Sequence, residues 1–135
     1  MSERGGLPLA AAVSAANTVD AAMLLPLVDS VPPVSGRRGR PRRRPDRLHA
    51  DKAYDHKRLR GEVRRRGISV RIARKNVESS TRLGRHRWVI ERTMSWLMRY
   101  RRLVRRYDRV ATHFTGFVTL ACALICHRRL TKITS

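Results

Sequence analysis

An excess of positive charge constrains this chain more than any other feature of its sequence. Lysine and arginine total 31 against 10 acidic residues, which gives a formal net charge of +21 and a sequence pI of about 11.8. Positive charges at this density repel one another unless a polyanion neutralises them. We favour nucleic acid, because phosphate neutralisation releases counterions and supplies most sequence-independent affinity; an anionic membrane surface comes second. Apolar residues make up 41% of the chain, more than a merely solvated, disordered chain would carry.

Length and hydropathy limit what else the chain can contain. Its 135 residues allow one domain with a modest core, or a piece of a larger domain. Leu7–Val13 is a short apolar run without a charged leader, and Phe114–Cys126 is too short to span a bilayer. We therefore expect a cytoplasmic protein. Cys122 and Cys126 lack the spacing of a zinc site, so they are predicted to be two buried, reduced thiols.

The first third of the chain is predicted to form a strand, a helix and a basic linker. Leu7–Ala15 is typical of a buried strand, and Thr18 or Asp20 can cap a helix that continues to about Val31. Its predicted buried face comprises Ala21, Leu24, Leu25 and Val28. Residues 32–47 then form an Arg/Pro/Gly-rich segment, in which Ser35–Arg47 carries seven arginines. We expect a flexible linker that is either a phosphate-gripping arm or a solvated loop.

The middle of the chain has the pattern of a strand, a helix and a second strand. The short run Arg47–Ala50 ends directly before Asp51, and Asp55 can cap a helix over Tyr54–Arg66. Ile68–Ala73 then alternates apolar and polar residues, as a half-buried strand does. This βαβ-like order predicts an α/β fold with a mixed or parallel sheet and flanking helices.

The last part of the chain is predicted to contain two long helices. After the basic stretch Arg74–Arg85, helical periodicity covers about His86–Tyr107, and an apolar helix over about His113–Leu130 is expected to insert into the core. The predicted buried stripe of the first helix comprises Val89, Thr93, Trp96, Tyr100, Leu103 and Tyr107. Trp88, Trp96 and Tyr100 can stack on bases, but this spacing favours core packing.

Two acidic residues are candidates for chemistry. Asp51 follows a strand directly, where open α/β sheets place their sites, and Glu91 lies well away from the apolar stripe of its helix. Carboxylates from a strand end and a helix are the hard ligands that a Mg²⁺ or Mn²⁺ phosphoryl-transfer site needs. By residue type alone, a turn-capping role for Asp51 and an ion-paired surface role for Glu91 remain open.

The surroundings of these acids carry a family resemblance. Asp51-Lys-Ala-Tyr54, followed by Leu83-Gly-Arg-His-Arg87-Trp-Val-Ile-Glu91-Arg-Thr-Met-Ser-Trp96-Leu-Met-Arg-Tyr-Arg-Arg-Leu103, resembles the C-terminal half of DDE-type insertion-sequence transposases. The resemblance implies an RNase H-like fold in which two aspartates and one glutamate bind two Mg²⁺ ions, cleave a DNA strand and join its 3′-OH to target DNA. Asp51 matches the second aspartate and Glu91 the glutamate.

The resemblance also suggests which residues contact DNA. Arg87, four residues before the glutamate, is expected to hold a phosphate, and Arg99 to replace a lysine that many relatives have where this chain has Met98. Gly84 stands where many relatives have a tyrosine. The full predicted DNA-binding set is Arg37, Arg38, Arg40, Arg42, Arg43, Arg44, Lys52, Arg87, Arg92, Arg99 and Arg102.

The resemblance leaves the first catalytic aspartate without a counterpart. In the family, that aspartate lies on a strand upstream of the segment that the first residues of this chain resemble. Asp20 and Asp29 lie in a predicted helix, and the residues around them do not match those around the family's first aspartate. Residues 1–135 are therefore expected to be a partial catalytic domain, incomplete at its N-terminus, inactive alone and dependent on an upstream segment or a homo-oligomer. A frameshifted element and a decayed remnant both remain open.

Two other functions fit part of the sequence. A non-catalytic basic DNA-binding protein would use Arg37–Arg47 and the arginines of residues 99–106. A ribosome-type RNA binder explains the charge but leaves the contexts of Asp51 and Glu91 unaccounted for.

Overall fold

The chain folds into two compact units. A computed structural model describes residues 1–15, 17–36, 39–74, 80–105 and 109–134, with residues 80–86 and 134 described by their backbone alone. The sheet unit comprises Ser14–Leu83, and the helical unit comprises Met1–Val13 together with Gly84–Ser135. The sheet unit contains a parallel two-stranded sheet with helices, so the fold is α/β.

The βαβ order predicted for the sheet unit is confirmed. β1 (Arg47–Ala50) and β2 (Ser69–Ile72) pair in parallel, with Leu48 opposite Val70 and Ala50 opposite Ile72. The core around them is formed by Leu48, Val63, Ile68 and Ile72, each at most 6% exposed. Parallel strands need a crossover connection, and the helix between them provides it.

That crossover helix begins later than the sequence predicted. A short 3₁₀ turn occupies Lys52–Tyr54, and α2 covers Lys57–Arg65 with His56 as its N-cap. The expected cap, Asp55, instead forms an ion pair with Arg60. The helix ends at Arg65, and Gly67 follows its C-cap with a φ of 73°, a conformation that glycine adopts readily.

The first helix has its predicted face but not its predicted ends. α1 covers Asp20–Asp29, with Leu24 and Val28 buried, and it stops two residues short of Val31. Its N-cap is Val19, which makes no side-chain capping bond, so the predicted Thr18 or Asp20 cap is wrong. Burial of the apolar face therefore stabilises this helix more than its cap does.

The arginine-rich segment is not an open linker. Val34 and Arg42 pair antiparallel, and each backbone N–H donates to the other residue's carbonyl at 2.8 Å. We call the loop that this bridge closes, residues 34–42, the arginine hairpin; Arg37 and Arg38 lie outside the described residues. The expectation of a freely flexible segment is wrong at its base, where the backbone is hydrogen bonded.

The predicted N-terminal strand over Leu7–Ala15 is also wrong. In this part of the chain Ser2 and Pro8 form an isolated bridge, and residues 9–15 form no strand. Proline lacks the N–H that would extend a ladder, and the alanines that follow bury little surface. Hydrogen bonds from the N-terminal ammonium and from Leu9 instead close this segment on itself.

The long helix predicted over His86–Tyr107 is divided in two. α3 covers Ser80–Leu97 and α4 covers Arg101–Val104, because the chain between them tightens to i→i−3 hydrogen bonds and then extends at Tyr100. The predicted stripe still faces inward where it is described: Thr93 is buried, and Val89, Trp96, Tyr100 and Leu103 are half-buried. Tyr107 lies outside the described residues.

The last helix is longer and more exposed than the sequence predicted. α5 covers Ala111–Thr134, and Ala121 and Ile125 are its buried residues among those described. Leu120 and Leu130 are 56% and 63% exposed, so the expected insertion into a core is wrong. Within the described residues, no helix is long and apolar enough to cross a membrane.

Candidate functional site

Asp51 lies at the carboxyl end of β1, as predicted. Its Oδ1 accepts a hydrogen bond from the backbone N–H of Lys52 at 2.5 Å, which caps the 3₁₀ turn. The turn and the strand therefore fix the backbone of Asp51, while its side chain is exposed. A capping role and an accessible carboxylate coexist here, because a carboxylate has two oxygens with several acceptor positions.

A buried arginine that the sequence reasoning missed holds the segment after Asp51 in place. Arg60 Nε donates to Asp55 Oδ1 at 2.6 Å, and its Nη2 donates to the carbonyl oxygen of Ile72 at 2.7 Å. The two side chains of the ion pair are only 13% and 17% exposed. One guanidinium thus joins the chain that follows Asp51 to the end of β2. The i,i+5 spacing of Asp55 and Arg60 was the available signal.

Glu91 lies on an accessible side of α3. Its Oε1 is 3.0 Å from Nε of Arg87, one helical turn earlier, and the two side chains are 64% and 78% exposed. An exposed i,i+4 pair of this kind contributes only about 0.3–0.5 kcal/mol to stability. The pair therefore orients the carboxylate without removing it from solvent.

Apolar side chains flank Glu91 on α3 and directly after its end. Ile90, Met94 and Met98 are 57%, 44% and 51% exposed. Helical periodicity places Met94 on the same side of α3 as Arg87 and Glu91, and Met98 is the first residue after the helix. This side of the helix combines an ion pair with uncovered apolar surface.

The aromatic residues of α3 stack with arginines. The guanidinium of Arg92 lies 4.5 Å from the ring centre of Trp88 and 6.0 Å from that of Trp96, and Arg129 covers Trp96 at 4.3 Å. Trp96 is half-buried, in keeping with core packing, but Trp88 is 43% exposed. Core packing is therefore wrong for Trp88, whose apolar surface is covered in part by an arginine.

The predicted DNA-contacting residues of the sheet unit are mostly exposed. Arg40 and Arg43 are exposed, Arg42 pairs with Asp46 at 2.7 Å, and Arg44 donates to the carbonyl of Arg66 at 3.1 Å. Lys52 is half-buried. Arg43, Arg44 and Arg66 line a cleft of about 180 Å³. Arg43 and Arg44 thus lie at the same surface, where the bond to the carbonyl of Arg66 holds Arg44 in place.

In the helical unit the predicted contacts differ in their surroundings. Arg87 and Arg99 are exposed, whereas Arg92 stacks on tryptophan rings and Arg102 lies 4.7 Å from the ring centre of Phe117. Stacking leaves the edge of a guanidinium available to donate hydrogen bonds. Arg99, beside the exposed Met98, is accessible for the phosphate contact predicted for it.

The carboxylates of Asp51 and Glu91 are suitable ligands for a hard divalent cation, but the described residues do not bring enough ligands together to hold one. Asp51 belongs to the sheet unit and Glu91 to the helical unit. Among the residues that the structure describes, no three His, Cys, Asp or Glu side chains come together in a way that could hold a metal ion. Burial raises the pKa of the Cys122 and Cys126 thiols, so they stay protonated and are poor metal ligands.

Comparison with known proteins adds three findings. The sequence matches the family described as Transposase DDE domain over residues 1–126. It is 43% identical over 132 residues to a Burkholderia cepacia protein described as a transposase for insertion sequence element IS402. That alignment covers 98% of this chain and 63% of the relative, so the chain spans less than two thirds of the relative's length. No solved structure matches.

Proposed function

Because the chain belongs to the transposase DDE domain family, we propose that it is part of an insertion-sequence transposase that cleaves and joins DNA strands. The observation that carries this proposal is the placement of Asp51 at a strand end and of Glu91 on an accessible helix face. Both residues lie within the part of the chain that matches the family. Their carboxylates face solvent, where a DNA phosphate and a cation have access.

In this proposal Asp51 and Glu91 supply two carboxylates to a divalent-metal site, with Mg²⁺ or Mn²⁺ as the ion. When bound, the ions would stabilise the charge that develops on the attacking and leaving oxygens of the phosphate. The chain's own residues prepare this site. The N–H of Lys52 fixes one oxygen of Asp51, and Arg87 orients Glu91 and offers its remaining N–H groups to a phosphate.

The third carboxylate is proposed to come from the part of the family's length that this chain does not span. The described residues contain no three-residue cluster that could hold a metal, and 37% of the B. cepacia relative has no counterpart in the alignment. That part, or a second copy of the protein, would also complete an RNase H-like sheet beside β1 and β2, making one catalytic domain. The isolated chain is then a DNA-binding but inactive partial domain.

DNA binding is proposed to rest on the exposed arginines of both units. A net charge of +21 and exposed guanidinium groups at Arg40, Arg43, Arg87 and Arg99 support it. Counterion release makes such binding strong at low salt and steeply salt dependent, whatever the base sequence. The same charge supports the second candidate function, a basic DNA-binding protein that cuts nothing.

Plasmid nicking in Mg²⁺ tests the proposal. We expect nicking from the chain extended with its upstream coding sequence and only background from the chain alone. Asp51→Asn and Glu91→Gln in the extended protein should each reduce nicking to background, because each removes a metal ligand while keeping side-chain size. Asp29→Asn is the matched control, since Asp29 is an exposed acid at the C-terminal end of α1 and should not affect cleavage.

The outcomes separate the candidate functions. Nicking that survives Asp51→Asn or Glu91→Gln would contradict the assigned carboxylates. Absence of nicking in both forms, with DNA binding retained, would favour the non-catalytic DNA-binding function.

A further inference from the structure

The arginine hairpin contains an exposed segment, Gly39–Pro41, in which a residue without a side chain precedes Arg40. We call this segment the strip. Gly39, Arg40 and Pro41 are all exposed, and a Cβ built on Gly39 would meet nothing within 4 Å. Gly39 has a φ of 92°, a left-handed conformation that strains other residues. The glycine is therefore required by the backbone conformation and not by packing within the chain. The strip is open to an approaching partner.

The base of the hairpin is held by hydrogen bonds and an ion pair. The two backbone bonds between Val34 and Arg42 close it, and Arg42 is ion-paired with Asp46 at 2.7 Å. Arg44 is anchored on the carbonyl of Arg66. These contacts engage Arg42 and Arg44, whereas Arg40 takes no part in them and is exposed. A loop ordered at its base loses less conformational freedom on binding than an open linker does.

We propose that the arginine hairpin inserts Arg40 into the minor groove of A·T-rich double-stranded DNA. This inference rests on the proposed function, and it adds a base preference to the phosphate-based binding described above. Its structural basis is the combination of an exposed arginine, a glycine without a side chain and a proline without an N–H on one closed loop.

The chemistry of the groove favours this partner. In the minor groove A·T pairs show only acceptors, adenine N3 and thymine O2, whereas G·C pairs add the 2-amino group of guanine as a donor. A guanidinium has five donors and no acceptor, so its hydrogen bonds match the A·T floor and conflict with the guanine amino group. Narrow A·T minor grooves also concentrate negative potential and attract inserted arginine.

The shape of the strip fits a narrow groove. The minor groove is about 6 Å wide, which leaves little room for side chains beside the inserted one. Gly39 adds no side chain next to Arg40, and Pro41 fixes its own φ and has no N–H that would need an acceptor.

Three duplexes of equal length and equal phosphate charge test the proposal. The full chain is titrated by fluorescence anisotropy with A·T, G·C and inosine·cytosine duplexes across a salt series. Inosine·cytosine keeps the major-groove edges of G·C but lacks the minor-groove amino group, so it separates the two grooves. We expect A·T and inosine·cytosine to bind alike, and G·C at least about fivefold more weakly.

Variants assign the preference to the hairpin. Arg40→Lys keeps the charge but loses the planar guanidinium, so the preference should shrink to within about twofold while the salt slope is unchanged. Arg58→Lys makes the same substitution at an exposed arginine of α2 and should retain the full preference.

Other outcomes overturn the inference in distinguishable ways. Inosine·cytosine binding like G·C would exclude minor-groove reading. Equal binding to all three duplexes with a steep salt slope would overturn the groove preference and leave the proposed DNA binding intact. Failure to bind any duplex would overturn both.

Discussion

Replacing Arg60 with methionine should loosen the two-stranded sheet. The guanidinium makes two charge-assisted hydrogen bonds, to Asp55 and to the carbonyl of Ile72, in a place where both ionised side chains are less than one fifth exposed. Each such bond contributes about 1.5–3 kcal/mol, and breaking a buried pair costs about 3–5 kcal/mol. Because this pair is not fully buried, we expect a loss of about 2–4 kcal/mol. Methionine and arginine have similar helix propensities, so α2 itself should be unaffected.

Amide hydrogen exchange measured along β1 and β2 is the appropriate assay. Both tryptophans, Trp88 and Trp96, belong to the helical unit, so tryptophan fluorescence reports on that unit and serves as an internal control. Arg64→Met, at an exposed position of α2, should change the opening free energy of the sheet by no more than about 0.5 kcal/mol. If Arg60→Met had as small an effect as Arg64→Met, Arg60 would not hold the strand ends together.

Three further predictions concern other contacts. The buried hydroxyl of Thr93 donates to the carbonyl of Gly6 at 2.7 Å, so Thr93→Val should cost about 1–2 kcal/mol in urea unfolding followed by tryptophan fluorescence. The hydrogen bond from Arg66 holds the pKa of Asp29 below its ordinary value of 3.8. Its stabilisation is therefore present above pH 3.8 and lost as the pH falls through the lowered pKa, and Asp29→Asn should flatten acid unfolding in that range. Burial raises the pKa of Cys122 above 9.0, so its alkylation by iodoacetamide should have a pH midpoint above that value, and a midpoint below it would contradict a half-buried thiol.

Local patterns in the sequence were enough to predict the βαβ order of the sheet unit. The strand that ends at Asp51, the crossover helix and the alternating strand Ile68–Ala73 depend on residues close together in the chain, and the parallel pairing followed from their order. The same reasoning placed Glu91 away from the buried stripe of α3, where the structure finds it exposed. The catalytic assignment of both acids remains a prediction.

Expectations about burial were less successful where a segment had to find a partner. Apolar composition predicted that α5 would enter a core and that Leu7–Ala15 would be a strand. A helix is buried only if other segments of the chain pack against it, and a strand forms only if a second strand pairs with it. The division of the helix after Leu97 left no signal in the apolar periodicity.

What the sequence by itself determined is therefore the charge, the order of the elements and the residues that occupy the strand end and the accessible helix face. Tertiary structure alone decided that Arg60 joins the Asp51 segment to the end of β2, that Val34 and Arg42 close the arginine hairpin, and that Arg129 stacks on Trp96. The physical reason is that charge and periodicity are properties of neighbouring residues. A hydrogen bond or stacking contact, in contrast, requires two groups to meet at a distance and angle that only the folded chain sets.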